Sequence, residues 1–286
     1  MFNFFLSTIY DLRSKLYFII MRLNAVKVLG ISITNTSKNE ILEEIQKYLS
    51  APHKISQKSL KIFTPNTEQL VLAQRNPVFA GILNRADVSL PDTVGVVWAS
   101  TILTKNHIAT PIPGVEFMED LVQMAEKCHV SIGLIGGRNN LAVDTLNCLR
   151  QKYNLLQDSW AQDGPEIEND KLPDDIYFQR LARRIIRDGT RIVFVALGPP
   201  KQEYFIQKLS TIYPLRSTIF MAVGGSFDIL SGRLRRAPVW MRNLGLEWLW
   251  RLILEPWRFR RQLALVEFVW LVLRAKLASK GEALRS

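Results

Sequence analysis

The sequence predicts an α/β fold: a Rossmann-like, mostly parallel sheet with helices on both faces, followed by a C-terminal helical basic appendage. Three observations predict it. Short β-branched runs alternate with helix-patterned segments from Asn24 to about Ser231, and apolar runs of that kind are buried on both faces of a parallel sheet. Most of these runs stop at a Gly or Pro turn that feeds the next helix. Beyond Ser231 the alternation ends, and arginine and tryptophan take over.

The elements follow in order. Ala25–Ile33 (AVKVLGISI) is a β-branched run, and Glu40–Leu49 has helical periodicity. Lys61–Thr64 is strand-like and ends at Pro65; helix Thr67–Ala73 follows, with Asn66 or Thr67 as N-cap. Asp87–Leu90 is a strand halted by Pro91-Asp92, and Thr93–Leu103 reads as a helix. Val130–Ile135 is a strand, Gly136–Gly137 a turn, and Asn140–Lys152 a helix. Asp158–Asp175 is polar and Pro-containing, the composition of a surface loop, with Asp174–Asp175 placed to cap a helix. Arg191–Leu197, turn Gly198–Pro200, helix Gln202–Leu209, strand Thr218–Val223 and turn Gly224–Gly225 complete the alternation.

Composition narrows the function classes. With 286 residues, 48% hydrophobic and 22% charged, the chain has ample apolar content for a core and is not a disordered protein. Its two cysteines, Cys128 and Cys148, provide neither a disulfide framework nor a CxxC zinc site. His53, His107 and His129 lack metal-ligand spacing, and no metal site is expected. The formal net charge is +11, of which the segment from Arg233 onward carries +8, together with five of the seven tryptophans. Such a mixture suits a surface that meets anionic lipid headgroups. It equally suits a helical subdomain with tryptophans in its core and arginines in solvent. Nucleic acid is the weakest reading, because apolar Leu263–Leu273 follows, and no nucleic-acid partner is expected. That stretch is too short to span a bilayer, and Met1–Met21 is interrupted by Asp11, Arg13 and Lys15. The expected organisation is therefore an N-terminal extension (1–24, amphipathic or disordered), an α/β catalytic domain (25–231) and a basic, Trp-rich, membrane-associating appendage (232–286).

Ligands of an open parallel sheet bind beyond the carboxyl ends of its strands. Gly136, Gly137, Gly198, Gln202 and Glu203 stand there, as do Thr64, Asn66 and Asp92. Glycine turns before helices can cradle a phosphate, although tight turning alone also explains them. Asp92 follows a strand and a proline among apolar neighbours. Desolvation there would raise its pKa and suit it to act as a general base; capping the next helix is the competing role. No GxGxxG, GxxxxGK[ST] or GxSxG motif is present, so reductase, P-loop and triad-hydrolase chemistry lack support. No cofactor is expected.

Taken together, TPNTEQL, LNRADVSLPDTVGVV, LIGG, ALGPPKQE, GGSFDILSGRLRRAP and GLEWLWRLILEPWRFRR resemble the WecG/TagA/CpsF family of bacterial glycosyltransferases, over about Ala25 to Arg261. The resemblance implies an inverting, metal-independent enzyme. Its donor would be a UDP-sugar, commonly UDP-N-acetylmannosamine, and its acceptor a polyprenyl-diphosphate-linked sugar at the inner face of the cytoplasmic membrane. The products of such enzymes are teichoic acids and other cell-surface polysaccharides. The resemblance makes Asp92 the base, puts Thr64, Asn66 and Gln202 in the substrate pocket, and sets Arg251, Arg258 and Arg261 against the diphosphate. Two departures bear on the donor. Thr93 stands where relatives often have glycine, and Pro111-Ile112-Pro113 precedes Gly114 where they often have arginine. UDP-glucose or another UDP-hexose, for exopolysaccharide, is thus the alternative donor. A non-enzymatic membrane or nucleic-acid adaptor is the rival of another class, and self-association is left open.

Overall fold

The computed structural model describes residues 23–50, 58–155, 157–167, 171–212, 215, 217–256 and 259–283. The expected extension, apart from Leu23 and Asn24, lies outside them. Strand β1 (Ala25–Val28) and strand β2 (Ile31–Thr34) form an antiparallel hairpin rather than one continuous run. Leu29 and Gly30 between them take φ of 49° and 79°, the left-handed pair that a two-residue hairpin turn requires. Helix α1 (Lys38–Ser50) leads to β3 (Leu60–Phe63), α2 (Thr67–Arg75), α3 (Pro77–Leu83), β4 (Val88–Ser89), α4 (Val94–Leu103) and α5 (Gly114–Lys127). Next come β5 (Ser131–Gly136), α6 (Leu141–Lys152), β6 (Trp160–Gln162), α7 (Asp175–Arg187), β7 (Thr190–Ala196), α8 (Lys201–Ile212), β8 (Ile219–Ala222) and α9 (Ser226–Leu230). Three helices close the chain: α10 (Val239–Asn243), α11 (Glu247–Leu254) and α12 (Phe259–Ala283).

The six strands from β3 to β8 pair in parallel, in the order β4-β3-β8-β7-β5-β6. Every residue of β3, β5 and β7 is buried, as strands covered on both faces must be. Ile192 and Phe194 of β7 face a core built with α1, α5 and α6. Val193 and Val195, in the alternate positions, face a second core built with α2, α3, α4, α7 and α8.

The supposed loop at 158–175 contains β6, an edge strand of three residues paired to β5. Its anchor is Trp160, whose indole lies against Gly133, where a Cβ would come within 2.6 Å of the ring. Asp174 does cap a helix, accepting from the Tyr177 N–H at 2.8 Å. Helix α12 is joined to the core: Phe268 and Val272 have no exposed surface. Phe268 packs against Trp98 with ring centroids 6.4 Å apart, and Glu267 forms an ion pair with Arg75 of α2. On another side of α12, Leu263, Val266, Trp270, Leu273 and Leu277 are exposed at spacings of three and four, one stripe along the helix. Among the described residues no helix is long and apolar enough to cross a membrane.

Candidate active site

The chemistry-bearing residues gather beyond the carboxyl ends of β3, β4, β7 and β8. Asp92 occupies the bend between β4 and α4, in contact with the first residue of α5. Its carboxylate accepts the Gly114 N–H at 2.7 Å. That N–H is one of the donors a helix start leaves without an intrahelical partner. Asp92 therefore does not cap α4, whose N-cap is Thr93, with no side-chain capping bond. Gly114 permits the close approach, since a Cβ there would lie 3.0 Å from the Thr64 methyl and 3.4 Å from an Asp92 oxygen.

Burial pushes the Asp92 carboxyl from its ordinary 3.8 up to about 6. The Gly114 N–H opposes that rise, the charge of Glu247 adds to it, and the charges of Arg251 and Arg236 oppose it. All three of those charged residues come from the segment after Ser231, so the basic tail reaches the carboxylate that the strands present. Arg236 pairs with Glu116 of α5 at 2.8 Å and with Glu247 of α11 at 3.4 Å, while Arg242 reaches Glu116 at 3.1 Å. This ion network fastens the tail beside the N-terminus of α5.

Arg251 lies over the turn after β8. A Cβ on Gly225 would come within 2.9 Å of its guanidinium, so glycine there makes room for the cation. Arg251 also pairs with Glu255 at 3.5 Å. Arg258 falls outside the described residues, as does the side chain of Arg261.

The remaining expected site residues divide into open and interior ones. Thr64 donates to the Ala222 carbonyl at 3.3 Å, joining the ends of β3 and β8. Asn66 caps α2 in a reciprocal capping box with Gln69: its side chain accepts the Gln69 N–H, and its own N–H donates to the Gln69 side chain, both at 3.0 Å. Gln202 is buried, and its carbonyl accepts the Gly224 N–H at 3.0 Å. Glu203 has no exposed surface. One of its oxygens accepts from Gln69 at 2.8 Å and from Gln202 at 2.9 Å. The glycine turns are also engaged internally. The Gly137 N–H donates to the Ala196 carbonyl at 3.1 Å, and a Cβ on Gly136 would strike that same carbonyl. Gly198, at φ of 73°, has open space where a side chain would be. Among the described residues no three His, Cys, Asp or Glu side chains cluster to hold a metal ion.

A profile of the glycosyl transferase WecG/TagA/CpsF family matches residues 26–282. The chain belongs to that family of glycosyltransferases. Two relatives share the name N-acetylglucosaminyldiphosphoundecaprenol N-acetyl-beta-D-mannosaminyltransferase. The protein from Bacillus subtilis (strain 168) is 31% identical over 252 residues, covering 88% of this chain and 92% of its own length. The protein from Bacillus spizizenii (strain ATCC 23059 / NRRL B-14472 / W23) is 29% identical over 238 residues, covering 83% and 88%. The match runs through α12, in keeping with that helix's place in the core.

The sequence reading missed Gln69, Glu116, Arg236 and Glu247. The Asn66-x-x-Gln69 spacing of a capping box was available for the first. Nothing local in the sequence joins the other three, because Arg236, which pairs with Glu247, meets Glu116 across 120 positions of chain.

Proposed function

We propose that this glycosyltransferase moves N-acetylmannosamine, with inversion, from a UDP-linked donor to a polyprenyl-diphosphate-linked N-acetylglucosamine. Asp92 is the general base in this reading. Its carboxylate takes the proton of an acceptor hydroxyl as that oxygen bonds to the anomeric carbon. The bond from that carbon to the diphosphate oxygen breaks on the opposite face, and its electron pair leaves with UDP. The observation that carries the proposal is that Asp92, raised to about 6, stands within electrostatic reach of Arg251, which lies over the Gly225 turn. A carboxylate with a pKa just below neutrality is ionised at working pH yet basic enough to accept a proton. A guanidinium fork matches diphosphate oxygens and stabilises the charge that develops on them. Thr64 and Asn66 orient the sugars in this reading, Gln202 holds the turn after β8 from beneath, and Arg258 and Arg261 join Arg251 on the diphosphate. The identity of the relatives at 31% and 29% supports N-acetylmannosamine over the UDP-hexose alternative.

The acceptor is a lipid, and the exposed Trp240, Trp248, Phe259, Leu263, Val266 and Trp270 give the tail an apolar surface beside its arginines. Indoles and aliphatic groups beside cations suit the headgroup boundary. We therefore assign this face to peripheral contact with the inner surface of the cytoplasmic membrane. The test is a panel of UDP-sugars offered with a synthetic prenyl-diphosphate N-acetylglucosamine, with and without EDTA and with Asp92→Asn as control. Transfer of N-acetylmannosamine by the parent chain and its loss in the variant support the proposal. Equal turnover by the variant, or transfer of glucose alone, overturns the assignment of base or donor respectively.

A further inference from the structure

Glu203 has no exposed surface, yet it stands at the junction of the whole site. A single oxygen of its buried carboxyl accepts two side-chain amides, from Gln69 at 2.8 Å and Gln202 at 2.9 Å. Its other oxygen, equally buried, has no hydrogen-bond partner among the described residues. Each glutamine spends its opposite end on a loop of the site. The Gln69 carbonyl accepts the Asn66 N–H at 3.0 Å, fixing the turn after β3 that begins at Thr64. The Gln202 carbonyl accepts the Gly224 N–H at 3.0 Å, fixing the turn after β8 over which Arg251 lies. The chain of bonds thus runs from the Asn66 backbone through Gln69, Glu203 and Gln202 to the Gly224 backbone. It links the sugar-facing loop to the turn beneath the arginine across the ends of β3, β7 and β8.

We propose that Glu203 is a positioning residue that sets the spacing between these two loops, acting on transfer only through Gln69 and Gln202. The inference rests on the glycosyl-transfer reading for its assay. Burying a carboxyl in the protein interior is costly, and desolvation pushes this one up to about 7 against its amide partners. An apolar side chain at this position would leave both inward-pointing amides without an acceptor. The carboxyl oxygen is the acceptor that lets both amides point inward while their carbonyls serve the loops.

The experiment exchanges the two partners. Gln69→Glu removes the donor and sets two carboxyls against each other. Glu203→Gln alone keeps one carbonyl for both amides, with its own NH2 unmatched. In the double variant Gln69→Glu/Glu203→Gln, the new amide must turn so that its NH2 donates to the new carboxylate while its carbonyl accepts from Gln202; the carboxylate still accepts from Asn66, and the link between the two loops is re-formed. Turnover per folded molecule, well below the melting temperature, is compared with the thermal midpoint and with UDP affinity by calorimetry. Loops displaced by a fraction of an ångström to an ångström can cost up to about 100-fold in rate. The expected result is at least a ten-fold loss of kcat in Gln69→Glu, with recovery to within about three-fold in the double variant. A lowered midpoint with unchanged kcat and KM per folded molecule would reduce Glu203 to a stabilising residue and overturn the proposal. So would a loss that the exchange leaves unrepaired. If Gln69→Glu does not fold, Glu203→Asp shortens the reach by one methylene: reduced kcat there supports the proposal, and parental kcat overturns it. Absence of transfer by the parent chain itself would instead count against the glycosyl-transfer reading.

Discussion

Replacing Asp92 with asparagine separates its cost to the fold from its use in the reaction. The folded chain raises this carboxyl from 3.8 to about 6. Between those values the folded protein keeps a proton that the unfolded chain has released, so stability falls as pH rises through that window. Above about pH 6 the full cost is in place, roughly 3 kcal/mol at about 1.36 kcal/mol for each tenfold change in proton affinity. Asp92 is only half-buried, and solvent screening trims the figure to about 1–3 kcal/mol. An asparagine retains the oxygen that accepts the Gly114 N–H at 2.7 Å and never ionises. Asp92→Asn should therefore melt higher than the parent at pH 7.5, by roughly 2–12 °C at about 2–4 °C per kcal/mol, and match it near pH 4. Its transfer rate should fall by about 10²–10⁴, the usual contribution of a general base. Calorimetric melts at the two pH values and a transfer assay make the measurement. A gain that persists unchanged at pH 4, no gain at pH 7.5, or undiminished turnover would each refute the reasoning.

Three further outcomes are expected. Glu247→Gln removes a charge that raises the Asp92 pKa, so the acid limb of the pH–rate profile should move to lower pH; neutralising Arg251 should move it upward. Gly225→Ala places a methyl 2.9 Å from the Arg251 guanidinium. The flexible arginine should yield, leaving the melting temperature nearly unchanged while kcat/KM for the donor drops about ten-fold, as the loss of one charge-assisted contact implies. Phe268→Ala empties a core position with no exposed surface and should cost about 3–5 kcal/mol in denaturant unfolding; a cost below about 1 kcal/mol would mean that α12 is not part of the core.

The alternation of strands and helices was legible because it is a local pattern. The buried runs of β5, β7 and β8 and the turns after them fall within a residue or two of where periodicity puts them. Three kinds of feature escaped. The Leu29–Gly30 turn is hidden inside a continuous apolar-rich run, so β1 and β2 read as one strand. Trp160–Gln162 is too short to show alternation, and its anchor is Gly133, 27 positions earlier in the chain. Helix α12 carries apolar residues on two sides, one against α2 and α4 and one exposed, so composition alone cannot say which side meets the core. In the site, Asp92 was legible from its apolar neighbours and the proline before it. The interior roles of Gln202 and Glu203 were not, because a residue at a strand's carboxyl end can face the pocket or the layer beneath it. Pairing with Gln69, 134 positions away, decides that, and no local spacing encodes it.

The claim that Asp92 works as a base beside the arginine-bearing tail is tested most directly by the pH dependence of kcat/KM for sugar transfer, which reports the ionisations of the free enzyme. The parent chain should show one ionisation near 6, with activity rising toward neutral pH, and the residual activity of Asp92→Asn should be flat across the same range. A parental profile without that ionisation, or one that the variant reproduces, would contradict it.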